Sequence, residues 1–147
     1  MSVYIRQLSV RWSDLDPNFH MRHSAFYDFG AQQRIEILTE YGISPHIMKA
    51  GDFGPVLFRE ECVFRKEIRF GDIVFMSTEI SKMRADASRW TFRHVLLGAD
   101  QLAVLATITA EGAWIDTKLR KLSSPVPEVV VAAMKAFPKS ADFEFSV

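Results

Sequence analysis

The strongest constraint on the fold is that the sequence contains one long helical segment among several segments that alternate like strands. In residues 24–41, apolar or small residues recur at the spacing that places them on one helix face; they are Phe26, Phe29, Gly30, Ile37, Leu38 and Tyr41. Ser24 is predicted to be the N-cap, and Gly42 suits a left-handed C-terminal cap. Because glycine within a helix costs about 1 kcal/mol relative to alanine, close packing is expected at Gly30.

Strand-like segments surround this helix. Residues 3–12 are rich in β-formers, and four longer strands are predicted within residues 56–115, separated by turns. The first of these four is predicted to turn one set of alternating residues inward, namely Val56, Phe58, Cys62, Phe64, Ile68 and Phe70. The third is predicted to bury Trp90, Phe92, His94 and Leu96. Residues 43–54 are predicted to form a loop, and residues 128–137 a short terminal helix.

Successive strands joined by tight turns predict an antiparallel sheet with one buried face, here a meander. A curved sheet of about five strands that wraps one central helix belongs to the α+β class. The length of 147 residues fits a single domain. We therefore expect one domain over residues 1–147, with its core within about 3–137 and a loose C-terminal tail.

Composition excludes several classes of protein. The 18 basic and 18 acidic residues balance, which argues against a nucleic-acid binder and leaves self-association open. A single cysteine, Cys62, excludes a disulfide framework and a cysteine-rich zinc site. No apolar run reaches the roughly 18 residues that a membrane span needs. The N-terminus does not have the pattern of a secretory signal, so a cytoplasmic protein is expected.

The residues with most chemical potential lie between the first strand and the long helix. Carboxylates and imidazoles are concentrated there, at Asp14, Asp16, His20 and His23. Such groups can perform acid–base or nucleophilic chemistry, and a helix N-terminus directly behind them can stabilise an oxyanion. Two other interpretations stay open: the aspartates serve only as turn and cap residues, or the four side chains bind a metal.

This arrangement resembles the hotdog-fold acyl-CoA thioesterases, specifically the branch of 4-hydroxybenzoyl-CoA thioesterase. Residues 11–16 match the family's strand and Asp-x-Asp turn, and residues 20–23 match its loop into the central helix. Arg34 and Glu36 match an Arg-x-Glu pair that is frequent in that helix. The resemblance covers about residues 3–137. It implies a hotdog fold and hydrolysis of an acyl- or aroyl-CoA thioester, without metal or redox cofactor, CoA being part of the substrate.

The resemblance also implies roles for individual residues. Asp16 corresponds to the catalytic carboxylate, which attacks the thioester carbonyl or activates a water. The backbone amide of His23 corresponds to the group that polarises this carbonyl. Phe19 stands where relatives have glycine, so its ring is expected to shape the acyl entrance, and His20 is expected to contact the substrate.

Two further expectations concern the nucleotide and the assembly. A basic cluster surrounds the turn between two predicted strands, and it consists of Lys82, Arg84, Arg89 and Arg93. Since basic side chains bind phosphates, Arg84 and Arg89 are predicted to hold the nucleotide of CoA. The alternative is that these residues only keep the ends of the strands solvated and protect an edge strand by their charge. The resemblance also implies a homodimer or homotetramer in which subunits join edge to edge.

Three residues within the predicted strands carry separate expectations. Glu60 lies on an apolar face, so either a bulge or an ion pair must accommodate it, or it belongs to a functional site. His94 is predicted to be a hydrogen-bonded core residue and Cys62 a small core residue. Two rival functions remain, a non-catalytic module that binds acyl-CoA or an acyl carrier, and a metal-dependent hydrolase that uses Asp14, Asp16 and His20.

Overall fold

A curved sheet and three α-helices form the fold in the computed structural model, which describes residues 3–147. The strands are β1 Ile5–Leu8, β2 Phe53–Phe64, β3 Val74–Arg84, β4 Arg89–Leu97, β5 Val104–Asp116, β6 Lys121–Leu122 and β7 Lys139–Ser146. The helices are α1 His23–Glu40, α2 Pro45–Ala50 and α3 Glu128–Ala136, and a 3-10 turn spans Trp12–Asp14. No helix within residues 3–147 is both long and apolar enough to cross a membrane.

The sheet confirms the predicted α+β hotdog fold. Its main path has five strands in the order β1-β3-β4-β5-β2, and all neighbours on this path are antiparallel. The two additional strands pair with β5 and β3. The predicted simple meander is wrong at one point, because β2 pairs with β5 rather than with β3. The chain therefore crosses over after β2, and β2 becomes an end strand of the sheet.

The central helix α1 spans 18 residues, and its boundaries are close to those predicted. Its N-cap is Arg22, which makes no side-chain cap hydrogen bond, so the prediction of Ser24 is wrong by two positions. Gly42 follows the helix with a φ of 94°, which confirms the predicted left-handed position. The buried face includes two polar residues that periodicity did not indicate, Gln33 and Arg34.

These two polar residues enter a buried network between α1 and the sheet. Arg34 Nη1 lies 3.0 Å from His94 Nε2, and His94 Nδ1 lies 2.8 Å from Thr78 Oγ1. Because a guanidinium can only donate, Nε2 must accept and Nδ1 must carry the proton that is donated to Thr78. Gln33 Nε2 also donates to Thr78 Oγ1 at 2.8 Å, and Arg34 Nη2 donates to Glu60 Oε2 at 3.2 Å. Burial and then the charge of Arg34 lower the pKa of His94 to about 3, so the imidazole is neutral.

Gly30 explains how this network fits under the helix. A Cβ atom at this position would lie 3.3 Å from Arg34 Nη1 and 3.4 Å from His94 Cδ2. The close packing predicted for Gly30 is thereby confirmed, and so is the hydrogen-bonded core role of His94.

Strand β2 departs from regular alternation at a bulge. The register with β5 slips between Leu57 and Arg59, which leaves Phe58 as an extra residue that is 52% exposed. The prediction that Val56 and Phe58 face inward is wrong, because the extra residue shifts the alternation by one position. Leu57 faces inward instead, and Glu60 points towards α1, where it pairs with Arg34.

Two segments have more structure than expected. Residues 43–54 were predicted to be a loop but contain α2, whose N-cap Ser44 accepts a hydrogen bond from Ile47 N at 3.2 Å. Residues 139–146 form β7 instead of a loose tail, and β7 lies parallel to β3. An ion pair of 2.9 Å between Arg93 and Asp142 ties this strand to β4. Part of the predicted basic cluster therefore serves to hold the C-terminal strand.

Candidate active site

The loop before α1 is built around a buried aspartate. Asp14 is 1% exposed, and its carboxylate accepts hydrogen bonds from Arg11 N, Nε and Nη2 at 2.8–3.1 Å. Its backbone carbonyl also accepts a hydrogen bond of 2.7 Å from Arg22 N, just before α1. The hydrogen bonds from Arg11 hold the pKa of the Asp14 carboxyl below its ordinary value. Asp14 therefore maintains the shape of the turn, and its carboxylate is engaged.

Asp16 has different surroundings although it lies only two residues further on. Its backbone N–H donates to His20 O at 2.8 Å, which closes a tight turn. Its Oδ1 accepts hydrogen bonds from Asn18 N at 2.8 Å and His20 N at 3.2 Å. Its second carboxylate oxygen has no hydrogen-bond partner among residues 3–147. The backbone thus orients the carboxylate by one oxygen and leaves the other available for chemistry.

Phe19 occupies the position in this turn where a glycine would be least strained. Its φ is 63°, in the left-handed region that side chains with a Cβ rarely adopt. The ring is 61% exposed and lies 6.0 Å from the ring of Trp12. Phe19 is not among the residues that line the cavity beside Asp16. The expected influence of this ring on the acyl entrance stays a prediction.

A cavity of about 350 Å³ lies beside Asp16. One wall comes from the loop and the first turn of α1, and it consists of Asp16, His20, Met21, His23 and Phe26. The other wall comes from the end of β2 and the segment after it, and it consists of Phe64, Arg65, Lys66, Glu67 and Ile68. The rings of Phe26 and Phe64, one from each wall, meet edge to face with their centroids 4.9 Å apart. We call this cavity the Asp16 pocket.

Backbone contacts fix the two walls against each other. Met21 N donates to Ile68 O at 2.7 Å, and His20 forms an isolated bridge with Arg69. The His20 side chain extends to the opposite wall, where Nε2 lies 3.1 Å from Glu67 Oε2. His20 is therefore held inside the pocket by both its backbone and its ring.

The N-terminus of α1 lies at the same pocket, since His23 is one of its lining residues. His23 is the first residue of α1, and its N-cap Arg22 offers no side-chain acceptor to the first turn. Amide groups at this position have no partner within the helix and carry its positive dipole end. An oriented carboxylate and the N-terminus of a helix therefore lie at the same cavity.

The predicted basic residues lie elsewhere in the chain. Arg84 Nε donates to Val147 O at 3.1 Å, and the Arg89 guanidinium lies over the Phe58 ring at 4.9 Å. Both belong to the end of the sheet opposite the Asp16 pocket, and neither lines that pocket within this chain. The basic residues in its wall are Arg65 and Lys66. Sequence reasoning missed them because they follow β2 at a distance of almost fifty residues from Asp16.

Three other features were candidates for an active site, and each is weaker than the Asp16 pocket. A groove of about 420 Å³ separates β1 from α1, but it contains none of the residues from the loop after Trp12–Asp14. Within residues 3–147, no three side chains of the metal-binding types converge. Burial raises the pKa of the Cys62 thiol to about 11, so this cysteine is not a nucleophile at neutral pH. The Asp16 pocket is the candidate active site.

Sequence comparison identifies one family. Residues 10–134 match the model of the Thioesterase-like superfamily. The matched segment includes most of the chain and every residue of the Asp16 pocket. No curated protein matches the sequence significantly.

Solved structures resemble the whole fold at low sequence identity. A hypothetical Staphylococcus aureus protein in complex with CoA has a TM-score of 0.84 and 15% identity, over 91% of this chain and 82% of that one. A 1,4-dihydroxy-2-naphthoyl-CoA thioesterase from Synechocystis has a TM-score of 0.80 and 20% identity, over 92% of this chain and 97% of the thioesterase. A DHNA-CoA thioesterase from S. aureus has a TM-score of 0.73 and 16% identity, over 82% of this chain and 79% of that enzyme. At these identities the likeness establishes a shared fold.

Proposed function

Because this chain belongs to the thioesterase-like superfamily, we propose that it hydrolyses an acyl- or aroyl-CoA thioester to the free acid and CoA. The observation that carries the proposal is the Asp16 carboxylate. One oxygen is anchored by two backbone N–H groups, the other has no hydrogen-bond partner within residues 3–147, and Asp16 lines a pocket at the N-terminus of α1. Two structural neighbours are named as thioesterases of an aroyl-CoA, and another was solved with CoA, which supports this substrate class.

Two routes use the same residues. As nucleophile, Asp16 attacks the carbonyl carbon and expels the CoA thiolate, and water then cleaves the resulting anhydride to release the acid. As general base, Asp16 takes a proton from a water that attacks the carbonyl, and the thiolate leaves with a proton. In both routes the His23 amide stabilises the oxyanion of the tetrahedral intermediate. Since a backbone amide performs this task, the His23 side chain is not needed for it.

Asp16→Asn tests the assignment. We expect thiol release from CoA esters to fall by about 10³-fold, while binding of the ester changes little, because the amide preserves the turn but not the charge. Asp28→Asn is the matched control, since Asp28 is exposed on α1 outside the pocket. Undiminished hydrolysis by Asp16→Asn would overturn the proposed role. A wild-type protein that binds CoA esters without releasing thiol would instead be the non-catalytic binding module.

The reaction as proposed needs no metal or redox cofactor. The rival metal site would require Asp14, whose carboxylate is already bound by Arg11. Turnover that persists after exhaustive chelation supports the metal-free route, and loss of turnover that added metal restores would contradict it. A cytoplasmic location stays a prediction from the sequence.

The substrate contacts belong to the same proposal. Phe19 and His20 follow Asp16 in the loop and are the proposed contacts of the acyl group. Arg65 and Lys66 belong to the pocket wall, where their charges can bind the phosphates of CoA. Arg84 and Arg89 remain predicted nucleotide contacts, which a second subunit would have to bring towards the pocket.

We also propose that the chain forms a homodimer or homotetramer through β2. This strand ends the sheet, and it exposes four large apolar side chains, Leu57, Phe58, Val63 and Phe64, each between 43% and 52%. An open, apolar edge strand favours pairing with another strand. Phe64 also lines the Asp16 pocket, so this pairing would place the active site at the subunit interface.

A further inference from the structure

Two exposed aromatic rings lie on the loop that carries Asp16. Trp12 is 68% exposed and Phe19 is 61% exposed, and their ring centroids lie 6.0 Å apart. Neither ring belongs to the two clusters of apolar side chains that form the core. A tryptophan side chain contributes most to stability or binding when its large surface is buried in a core or an interface. The folding of this chain therefore does not explain why Trp12 is a tryptophan.

The backbone places this aromatic pair at the rim of the Asp16 pocket. His20 lines the pocket and forms an antiparallel bridge with Arg69. One residue further along this contact, Phe19 lies opposite Phe70, which is 60% exposed. Phe19 and Phe70 do not line the pocket. The rings of Phe19 and Trp12 therefore lie just outside the pocket, where the wall that follows β2 meets the loop.

Basic side chains follow the same wall towards the rim. Arg65 and Lys66 line the pocket and are exposed, and Arg69 lies next to Phe70. The acidic residue among them is Glu67, whose Oε2 already lies 3.1 Å from His20 Nε2 and 3.5 Å from Arg69 Nη2. We call Arg65, Lys66 and Arg69 the basic wall. Guanidinium and ammonium groups in such a row bind phosphates.

The two rings leave one face of the indole open. Stacked rings are separated by about 3.5 Å, so a planar group inserted between two rings needs about 7 Å. The centroids of Trp12 and Phe19 are only 6.0 Å apart, and their planes are inclined by 42°. A planar ligand can therefore stack only on the face of the indole that is turned away from Phe19.

The spacing along the loop fits the two ends of one substrate. Trp12 and Asp16 are four residues apart, so their Cα atoms are separated by at most about 14 Å. The arm of CoA between its sulfur and its pyrophosphate has as many chain atoms as about four residues, and it spans up to about 15 Å. A thioester whose carbonyl lies at Asp16 can therefore place its nucleotide at the rim of the pocket.

From this arrangement we infer that the adenine base of the CoA ester stacks on Trp12, while the basic wall holds the phosphates. Phe19 supports the indole from its other face. A base suits this position because nucleobases bind exposed aromatic side chains by stacking. The inference rests on the proposed thioesterase function and assigns a specific contact to the part of the substrate that does not react.

This assignment differs from the nucleotide contacts predicted from the sequence. Arg84 and Arg89 lie at the end of the sheet opposite the Asp16 pocket, so they require a second subunit to reach a substrate bound there. Trp12 belongs to the same loop as Asp16, and it follows β1, which lies at the other end of the main sheet path from β2. The nucleotide is thus bound by the chain that supplies the catalytic carboxylate.

Tryptophan fluorescence tests the contact without any turnover. The other two tryptophans, Trp90 and Trp114, are 4% and 1% exposed, so Trp12 is the one that a ligand in solution can reach. We expect the adenosine bisphosphate that forms the nucleotide end of CoA to quench the fluorescence of wild-type protein saturably. Trp12→Phe should still bind this nucleotide in calorimetry, because a phenyl ring also stacks, but without quenching. Quenching that persists in Trp12→Phe would overturn the inference.

Kinetics with two esters of the same acyl group test the contact during turnover. For the CoA ester, Trp12→Ala should raise KM by about 10-fold and leave kcat unchanged, because the base binds equally before and during the reaction. Trp12→Phe should restore most of the wild-type KM. For the pantetheine ester, which lacks the nucleotide, Trp12→Ala and wild type should have the same KM. The matched control is Phe145→Ala, since Phe145 is 64% exposed on β7, and it should change neither value.

The outcomes separate the inference from the function on which it rests. Thiol release with the same KM for the CoA ester in Trp12→Ala and wild type would retain the function and overturn the inference. An equal rise of KM for both esters would also overturn it, since Trp12 would then not contact the nucleotide. A rise in Phe145→Ala instead would place the base beside Arg84, because Phe145 pairs with Met83. Quenching by the nucleotide without thiol release from either ester would support the contact and refute the proposed function.

Discussion

At the scale of single residues, two aspartates separated by one residue have different tasks. Both carboxylate oxygens of Asp14 accept hydrogen bonds from Arg11, whereas only one oxygen of Asp16 has a hydrogen-bond partner in the described part of the chain. Arg11 lies three residues before Asp14, where the 3-10 turn brings them together. The structural interpretation of the Asp-x-Asp turn therefore applies to Asp14, whereas the catalytic interpretation is the one proposed for Asp16.

Asp14→Asn should destabilise the protein in a pH-dependent way. The pKa of Asp14 is depressed in the folded state, so its contribution is present above the unfolded pKa of about 3.9 and is lost as the pH falls through the folded value. We expect a loss of about 2 kcal/mol at pH 7, the usual contribution of hydrogen bonds to a charged group. Urea unfolding at pH 7 and pH 3 measures it. An equal loss at both values would show that the charge of Asp14 does not matter.

Phe19 shows strain at the same turn. Its positive φ allows the chain to fold back so that Asn18 N and His20 N both reach Asp16 Oδ1. Strained residues of this kind cluster at functional sites. The glycine expected from the family resemblance would fit this backbone without strain, and its absence here is offset in part by contact with Trp12.

Phe19→Gly and Phe19→Ala separate strain from side-chain contact. Both variants lose the ring, but only glycine relieves the left-handed conformation, which costs other residues about 1 kcal/mol. We expect the free energy of unfolding of Phe19→Gly to exceed that of Phe19→Ala by about this amount. Chemical denaturation of the two variants side by side provides the measurement. Equal stabilities would show that the turn is not strained.

At the scale of elements, the polar network beneath α1 ties the helix to three strands. Gln33 and Arg34 reach Thr78 on β3, His94 on β4 and Glu60 on β2. A satisfied buried network of this kind specifies one arrangement, since any other would leave buried polar groups unpaired. It fixes the rotation of α1 about its axis, and thereby the position of the His23 amide around that axis.

His94→Gln tests the neutral state of this histidine. The pKa of His94 is about 3 in the folded protein and about 6.5 when unfolded, so only the unfolded state gains a proton between pH 7 and pH 5. This gain removes about 2 kcal/mol of stability over that interval. Glutamine can donate and accept but does not titrate, so the variant should lose about 2 kcal/mol less than wild type between the two pH values. Identical pH dependence in urea unfolding would contradict a neutral, buried His94.

At the scale of the whole molecule, the sheet has two different ends. On one side β1 and β7 together cover β3, and β7 is held by the ion pair between Arg93 and Asp142. On the other side β2 has no neighbour among the described residues, and its exposed side chains are largely apolar. Association is therefore expected at β2 and not at the opposite end.

Val63→Lys should weaken this association. Val63 is 45% exposed on β2, and a lysine on an edge strand opposes pairing with another strand. Val129→Lys is the matched control, because Val129 is 39% exposed on α3. We expect sedimentation velocity to show monomers for Val63→Lys alone, with loss of thiol release. Monomeric wild-type protein with full activity would refute an active site at the interface.

Much of the architecture and of the site follows from the sequence because its signals are local. The helical period predicts α1 to within one residue at each end, and Gly42 marks its end. Strand alternation gives the inner face of β4, and turn residues followed by a helix identify the loop of Asp16 and His20. The glycine in α1 even signals the close packing beneath it. Each of these depends on residues a few positions apart.

The tertiary structure alone decided what depends on distant partners. The bulge at Phe58 shifts the alternation of β2 by one position before Arg59, since pairing with β5 sets the register. The ion pair that accommodates Glu60 needs Arg34 from α1, and the pocket wall of Arg65 and Lys66 needs the contact of Met21 with Ile68. The equal numbers of basic and acidic residues in the sequence could not show which of these side chains would form ion pairs. The sequence by itself determined the helix, the strands and the loop of Asp16, because their signals lie within one turn or one strand. Packing between elements decided which strand ends the sheet and which residues form the second wall of the pocket, because those contacts join residues that are far apart in the chain.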